Sequence, residues 1–152
     1  MIPILSDGIA VYVFRRKSSD FEFLQLRRSD GDTYAQSWQP IYGGVQPEEK
    51  AEEAARRELF EETGIRSELM FLVEYLESFF FRPKNAIYMF PVFAAEFGSE
   101  HEVILNEEHD EYRWVSSTEV NEKFMWRSQR EAISVLLDTL INYKQNISAL
   151  LV

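Results

Sequence analysis

The chain has 152 residues, of which 45% are hydrophobic and 14% aromatic, and its formal net charge at pH 7 is −10. This length and composition predict a single globular domain over residues 1–152 and exclude a disordered chain. The absence of cysteine excludes disulfides, thiol chemistry and cysteine-ligated zinc, and the acidic balance argues against broad binding to nucleic acid.

Membrane and export signals are not expected in this sequence. No apolar run approaches the length that a membrane-spanning helix needs. The first residues, MIPILSDGIAVYVF, lack the basic leader and the small-residue cleavage site of a secretory signal. We therefore expect a cytoplasmic protein that does not contact membranes and that is a monomer or a homodimer.

Two strands joined by a tight turn are predicted near the start of the chain. Residues 7–15 and 21–28 are rich in β-branched and aromatic side chains, and the sequence Ser-Ser-Asp between them is typical of a turn. Arg28 ends the second strand beside the polar loop SDGDTYAQ, which makes it a candidate for contacting an anion. A short strand is expected over residues 38–43, in which Trp38 is more readily a core aromatic than a stacking surface for a ligand.

A glycine-led loop and a helix follow in the stretch GGVQPEEKAEEAARRELFEETGI. Residues 51–62 are mostly strong helix formers, and Gly64 stands where a left-handed terminating residue is favoured. At 100° per residue, Glu58, Glu61 and Glu62 share one face of this helix. The alanines of the first turns lie on the same face, so the acids continue an apolar stripe that points inward.

Two interpretations of these acids compete. A run of glutamates is most often a solvated helix face, but a solvated run would lie opposite the alanines. Carboxylates that are clustered and partly withdrawn from water repel one another or take up protons. Mg²⁺ removes that cost, because it binds oxygen ligands and is usually shared between carboxylates and substrate phosphates. The pattern therefore favours a metal–phosphate site.

A second hairpin is predicted after the helix. Residues 70–81 and 86–97 are long, apolar and aromatic, and they flank the turn sequence Arg-Pro-Lys-Asn. Three consecutive phenylalanines at 79–81 expose alternate faces of the first strand. One of them, with Phe80 as the candidate, is available to stack on a base, although core packing is the simpler interpretation.

A further carboxylate ligand is expected in the polar loop over residues 98–111, which leads into a strand over residues 112–115. Periodicity alone does not choose among the candidates. These are Glu107, Glu108, Asp110 and Glu111. His109 lies in the same loop and is interpreted as a structural hydrogen-bonding residue rather than a catalytic one.

Two helices are predicted in the last part of the chain. The sequences SSTE, from residue 116, and SQRE, from residue 128, both have the spacing of a capping box. Apolar residues then recur at helical spacing, which predicts that the second helix packs on the sheet. They are Ile133, Leu136, Leu137, Leu140 and Ile141. Residues from about 145 onward are expected to fray or to contact a partner subunit.

The stretch from Gly43 to Ile65 resembles the signature of the Nudix hydrolase family. That signature reads Gly, five residues, Glu, seven residues, Arg-Glu-aliphatic, any, Glu-Glu, any, Gly-aliphatic. Every fixed position is filled here, from Gly43 and Glu49 onward. The resemblance implies an α/β fold, the α/β/α sandwich with a mixed β-sheet of that family. It also implies hydrolysis of a phosphoanhydride bond with Mg²⁺ or Mn²⁺.

The resemblance also implies roles for individual residues. Glu58, Glu61 and Glu62 become carboxylate ligands of the cation, and the carbonyl of Gly43 becomes a backbone ligand. An ion pair between Arg57 and Glu49 orients that set. The segment EEHDEYRWV, from residue 107, is similar to one in many Nudix enzymes, which makes Glu108 the additional ligand or base. The candidate catalytic residues are Arg57, Glu58, Glu61 and Glu108, and the candidate substrate-binding residues are Arg28, Trp38 and Phe80.

Within the family, scattered motifs resemble the dihydroneopterin triphosphate and dATP pyrophosphohydrolase subgroup. Arg28, Trp38-Gln39, Glu108-His109 and the segment WRSQREA, from residue 126, carry this likeness. It implies a nucleotide-like substrate, a purine nucleoside or pterin triphosphate, that is cleaved to release pyrophosphate. Two alternatives stay open: a hydrolase of dinucleoside polyphosphates or of nucleotide sugars such as ADP-ribose, and a non-catalytic nucleotide sensor.

Overall fold

A mixed β-sheet forms the middle layer of the fold. The computed structural model describes residues 1–31 and 34–152, and eight strands of this sheet lie within those ranges. In chain order they are β1 (Ile4–Leu5), β2 (Gly8–Lys17), β3 (Asp20–Arg28), β4 (Trp38–Gln39), β5 (Ile41–Gly44), β6 (Met70–Phe81), β7 (Ala86–Glu96) and β8 (His109–Ser116). Strand β7 runs parallel to β1 and β2, whereas the pairs β2–β3, β2–β5, β3–β4, β3–β8 and β6–β7 are antiparallel.

Two long helices cover the two faces of the sheet. They are α1 (Ala51–Thr63) and α3 (Arg127–Asn142), and two single-turn helices, α2 (Val120–Lys123) and α4 (Ile147–Leu150), accompany α3. Because side chains alternate along a strand, successive residues of β2 enter different layers. Ile9 packs in the layer of α1, whereas Ala10 packs in the layer of α3. The α/β/α sandwich predicted from the sequence is therefore confirmed.

The helix that carries the acids agrees closely with its prediction. Ala54, Ala55 and Leu59 of α1 are buried against the sheet. Gly64 ends the helix with a left-handed φ of 72°, and its amide N–H donates a hydrogen bond to the Phe60 carbonyl over 2.8 Å. A residue with a Cβ would be strained at that φ, which is the reason for glycine there.

Two predicted segments have different boundaries in the structure. Pro40 divides the predicted strand at 38–43 into β4 and β5, because proline has no N–H for a ladder. Strand β8 begins at His109 rather than at residue 112 and extends the pairing with β3. Its acids are stabilised there by an ion pair, since Arg27 Nε lies 2.8 Å from Asp110 Oδ1. The polar sequence had predicted a loop at these positions.

The last part of the chain corrects two further expectations. Helix α3 begins at Arg127, so Ser128 is not its cap, and the hydroxyl of Ser128 instead donates to Glu77. Residues after 143 do not fray. They form a 3-10 turn and α4, and the Val152 amide donates to the Met70 carbonyl over 3.1 Å. No helix in the described ranges is long and apolar enough to cross a lipid bilayer.

Candidate active site

The candidate site lies where β5 meets α1. Gly43 pairs with Ile9 near the end of β5, and Glu58 projects from α1 directly against the glycine backbone. A Cβ atom added to Gly43 would overlap the Cγ and Cδ atoms of Glu58 and lie 2.6 Å from its Oε1 atom. Only glycine therefore lets the main chain approach the acidic face of the helix this closely.

Arg57 links the loop, the strand end and the acids. Its Nε and Nη2 atoms bind both carboxylate oxygens of Glu49, at 2.8 and 2.9 Å. Nη2 also donates to the Gly44 carbonyl at 2.8 Å, and Nη1 donates to Glu58 at 2.7 Å and to Glu61 at 3.3 Å. Hydrogen bonds from Arg57 lower the pKa of Glu49 to about 2, so this pair stays charged. The ion pair that was predicted to orient the ligands, between Arg57 and Glu49, is therefore bidentate.

The acids of α1 differ in burial. Glu62 is only 3% exposed, the side chain of Glu58 is 13% exposed, and that of Glu61 is 50% exposed. The inward direction inferred from helical periodicity holds for Glu58 and Glu62. Glu61 lies at the rim, because its position on the helix is rotated toward solvent.

Two further possible ligands, Glu108 and His109, lie near Glu62 at the start of β8. One ligand atom each of Glu62, Glu108 and His109 lies within 4.8 Å of the others. His109 is buried, and its Nδ1 atom is 3.9 Å from Glu62 Oε2. Glu108 is exposed at the entrance of this group. The structure therefore brings Glu108 to the acids of α1, as the family resemblance implied, and adds His109.

The protonation of the acids shows that the cluster suits a cation. Burial, followed by repulsion from Glu58 and Glu108, raises the pKa of Glu62 to about 9, although Arg28 opposes this rise. Burial also raises the pKa of Glu58, against the effect of Arg57. Glu62 therefore holds a proton that a bound cation would displace. Since the donors are mainly carboxylate oxygens, the residues fit Mg²⁺ or Mn²⁺.

We expect the metal-free protein to lose stability as the pH rises. The folded state holds the proton of Glu62 up to about 9, whereas the unfolded chain releases it near 4.5. Because the folded state then binds more protons, the free energy of unfolding should fall as the pH rises through this window. Urea unfolding in EDTA at a series of pH values measures the slope, with Glu62→Gln as the control that should lack most of it.

Mg²⁺ should oppose the loss of stability that is expected as the pH rises. A cation that displaces the proton raises the Tm more at about pH 8 than at about pH 5, because fewer protons compete for the carboxylates at the higher pH. Equal pH slopes in the wild type and in Glu62→Gln would contradict the assigned burial of this carboxyl.

A cavity of about 310 Å³ adjoins the glycine end of the site. Gly43 and Gly44 form part of its lining, so the cavity adjoins the candidate backbone ligand from the face of the sheet opposite the acids of α1. The remaining lining is Asp7, Gly8, Tyr42, Lys84, Tyr88 and Phe90. An apolar wall with one ammonium group is suited to a planar base attached to a phosphate chain.

The aromatic wall of the cavity continues beyond it. Tyr88 stacks on Phe79 with ring centroids 5.5 Å apart, and Phe90 contacts both rings edge-on. The series extends through Phe81 to Tyr34, with centroid distances of 5.8 and 6.3 Å. Phe79 is 38% exposed and Tyr34 56% exposed, so the wall offers accessible ring surface outside the cavity as well.

The other predicted substrate contacts lie in different places. Arg28 is on the α1 side of the sheet, where its charge acts on Glu62. Trp38 pairs with Arg27, hence lies on the opposite face, and the guanidinium of Arg113 stacks 4.1 Å from its ring centroid. Phe80 is 52% exposed, on the face opposite Phe79 and the cavity. The structure therefore brings Arg28 to the acids, whereas it places Trp38 on the opposite face of the sheet and Phe80 outside the aromatic wall of the cavity.

Sequence reasoning had not selected Lys84, Tyr88 or Phe90. The available signal was weak: a lysine in the Arg-Pro-Lys-Asn turn and two aromatic residues at a spacing of two along a strand, which place both rings on one face. Their approach to Gly43 depends on pairing between distant segments, β1 with β7 and β2 with β5.

Known sequences resemble most of this chain. The family described as NUDIX domain matches residues 5–136. The asymmetrical bis(5'-nucleosyl)-tetraphosphatase of Mus musculus is 35% identical over 119 residues, which cover 70% of this chain and 76% of the mouse protein. The nucleoside triphosphatase NudI of Klebsiella pneumoniae (strain 342) is 28% identical over 103 residues, which cover 60% of this chain and 70% of that protein.

A solved structure shares the architecture. The E. coli dihydroneopterin triphosphate pyrophosphohydrolase superposes with a TM-score of 0.69 and 21% sequence identity, over 88% of this chain and 96% of that chain. At this identity the likeness concerns the fold alone. It agrees with the sheet between two helical layers described above.

Proposed function

Because this chain belongs to the Nudix hydrolase family, we propose that it is a divalent-metal-dependent hydrolase of dinucleoside polyphosphates. The observation that carries the proposal is the shared position of Gly43 and Gly44. Gly43 lies against Glu58 of the acidic cluster, and both glycines line the aromatic-walled cavity. A nucleoside in the cavity would direct its phosphate chain across these glycines toward the acids.

The carboxylates would hold the cation in this reaction. Glu58, Glu61, Glu62 and Glu108 are the proposed ligands, with the carbonyl of Gly43. When bound, the cation would polarise phosphoryl oxygens and lower the pKa of a coordinated water. Arg57 fixes the relative positions of Glu49, Gly44 and Glu58, so that the ligands are arranged before the substrate arrives.

The bond changes follow from hydrolysis of a phosphoanhydride. The oxygen of water forms a bond to phosphorus, and the bridging P–O bond breaks. One carboxylate of the cluster accepts the proton of the water, and the leaving phosphate keeps the electron pair of the broken bond. Glu108 and Glu61 are exposed enough to exchange that proton with solvent, whereas Glu62 is buried and better suited to hold the cation.

Two features favour a substrate with two nucleosides. The mouse relative is named a bis(5'-nucleosyl)-tetraphosphatase, and the ring series from Phe90 to Tyr34 is longer than one base covers. Base–aromatic stacking is tolerant of base identity, so such a wall supports a second stacked nucleoside. Unequal cleavage of diadenosine tetraphosphate would yield ATP and AMP.

A nucleoside triphosphate is the second candidate. The Klebsiella relative is named a nucleoside triphosphatase, and the motifs that include Arg28 resemble the dihydroneopterin triphosphate and dATP subgroup. The same cluster would then release pyrophosphate. A substrate panel of diadenosine tetraphosphate, dATP, dihydroneopterin triphosphate and ADP-ribose with Mg²⁺ distinguishes these cases. A higher kcat/KM for either triphosphate than for diadenosine tetraphosphate would replace the first candidate with the second.

The cavity makes a specific prediction about base binding. Tyr88→Ala should raise the KM for diadenosine tetraphosphate about tenfold, since a base stacked on an aromatic ring is worth about 1–3 kcal/mol. Lys84→Ala should raise it as well, because Lys84 lies at the cavity beside the path of the phosphates. Steady-state kinetics measure both effects.

The matched control is Phe80→Ala, which removes an equally large ring from the opposite face of the same hairpin. Its KM should remain at the wild-type value. A rise in KM for Phe80→Ala with none for Tyr88→Ala would move the base site to the other face and would support the original assignment of Phe80.

A further inference from the structure

A buried carboxylate lies in the layer of α3, on the opposite side of the sheet from the acidic cluster. Glu77 of β6 is 0% exposed, although acidic side chains are rarely buried without partners. Its Oε1 atom accepts a hydrogen bond from the Tyr42 hydroxyl at 2.7 Å and another from the Ser128 hydroxyl at 3.3 Å. Glu77 therefore joins β6 to β5 and to the first turn of α3.

Tyr42 is the centre of this group. Besides donating to Glu77, its hydroxyl oxygen accepts a hydrogen bond from Gln129 Nε2 at 3.1 Å. Gln129 is 1% exposed, so this contact is also shielded from water. Burial and the nearby Glu77 carboxylate raise the pKa of Tyr42, which keeps its hydroxyl a proton donor. Tyr42 of β5 is thus held by β6 and by α3, neither of which pairs with β5.

The hydrogen bonds that hold Tyr42 also restrain the neighbouring backbone of the active site. Tyr42 immediately precedes Gly43 and Gly44, which have no side chains by which the protein could hold them. Its ring also lines the cavity and lies 6.3 Å from that of Phe90. From the other side of the sheet, Arg57 binds the Gly44 carbonyl at 2.8 Å. The glycine segment is therefore held from both faces.

Stability alone does not account for a carboxylate in this core. Replacing buried charged or polar groups by apolar residues of similar volume is often neutral or stabilising. We infer that Glu77 and Tyr42 are positioning residues that fix the Gly43 backbone for the cation and the cavity wall for the base. This inference rests on the proposed function and adds two residues from outside the Nudix signature to its machinery.

Tyr42→Phe tests the inference, because it removes the hydroxyl and keeps the ring. The dissociation constant for Mn²⁺, measured by electron paramagnetic resonance, should rise about tenfold, which corresponds to about 1.4 kcal/mol. The KM for diadenosine tetraphosphate should rise with it, while kcat changes less. Glu77→Leu removes the oxygen that accepts the hydrogen bond from Tyr42, so it should weaken Mn²⁺ binding in the same direction.

Tyr75→Phe is the matched control. The Tyr75 hydroxyl donates to Glu131 at 2.8 Å and also links β6 to α3, but this hydrogen bond does not involve β5. Mn²⁺ binding and KM should be unchanged in this variant. Wild-type Mn²⁺ affinity in Tyr42→Phe, or an equal loss in Tyr75→Phe, would overturn the inference.

Two further measurements keep folding and function separate. If Tyr42→Phe unfolds, the double variant Tyr42→Phe/Glu77→Leu makes this part of the core apolar and should fold with weakened Mn²⁺ binding; wild-type binding in it would overturn the inference. A wild-type protein that binds Mn²⁺ but hydrolyses none of the nucleotides would refute the proposed function. The comparison of Mn²⁺ affinities would still decide the role of Glu77 and Tyr42.

Discussion

Glu62→Gln is expected to lower kcat/KM about 10³-fold, because it removes the most buried carboxylate of a site in which a cation would stabilise the developing charge. The same change should leave the metal-free protein as stable as the wild type at neutral pH, or more stable. Burial and the charges of Glu58 and Glu108 make the ionised form of Glu62 costly in the folded state. An amide of the same size carries no such cost.

Glu52→Gln is the control for this variant. It makes the same substitution in the same helix, but at an exposed position in the first turn. Its kcat/KM should match that of the wild type. Initial-rate kinetics together with urea unfolding in EDTA give both quantities. If Glu62→Gln retained activity, or lost stability in EDTA, Glu62 would not be a ligand held in place by the fold.

Gly43→Ala is expected to lower kcat/KM about 10²-fold, since displacements of about 1 Å at a reacting centre have effects of this size. The added Cβ would overlap the side chain of Glu58, so either the carboxylate or the end of β5 must move. Both are proposed ligands of the same cation. Overpacking should also reduce the free energy of unfolding by about 1–3 kcal/mol.

The neighbouring glycine offers a close comparison. A Cβ on Gly44 would meet only the Asp7 carbonyl oxygen, at an ordinary 3.8 Å. Gly44→Ala should therefore retain most activity. The main-chain carbonyl at this position would still accept the hydrogen bond from Arg57. Equal losses of kcat/KM in Gly43→Ala and Gly44→Ala would indicate that the loop tolerates no added side chain at either position. Gly43 would then be removed from the proposed ligand set.

The helix and its acidic face could be predicted because they depend on local sequence. Composition, the terminating Gly64 and the 100° rotation per residue are sufficient to align Glu58 and Glu62 with Ala54 and Ala55. These residues have the expected burial. The alternative of a solvated acidic face holds only for Glu61, at the edge of the stripe.

The cavity could not be predicted in the same way. Tyr88 and Phe90 are more than forty residues from Gly43 along the chain, and their meeting depends on how β1, β2, β5 and β7 pair. Glu108 was selected only through family resemblance, because the acids from 107 to 111 have equivalent sequence patterns. Pairing of Arg28 with His109 across β3 and β8 is what places Glu108 beside Glu62.

Glu77 illustrates a different limit. An acidic residue in a long strand is ordinarily expected on a solvated face. Glu77 lies an even number of residues from Phe71 and Val73, which pack in the layer of α3, and the two-residue register shift between Val73 and Leu76 preserves this alternation. Glu77 consequently faces the layer of α3, while Leu76 is 52% exposed. Alternation along the strand gives this face, but it does not reveal that Tyr42 and Ser128 meet the carboxylate there.

The acids of α1, together with Glu108 just before β8, are proposed to catalyse metal-dependent hydrolysis of a dinucleoside polyphosphate. The most direct measurement is chromatography of the products formed from diadenosine tetraphosphate, with Mg²⁺ or with EDTA, by the wild type and by Glu61→Gln. Equal amounts of ATP and AMP, formed only by the wild type with Mg²⁺, are the predicted result. Undiminished turnover in EDTA or in the variant would contradict the assignment of this cluster, and intact substrate in every reaction would contradict the proposed function.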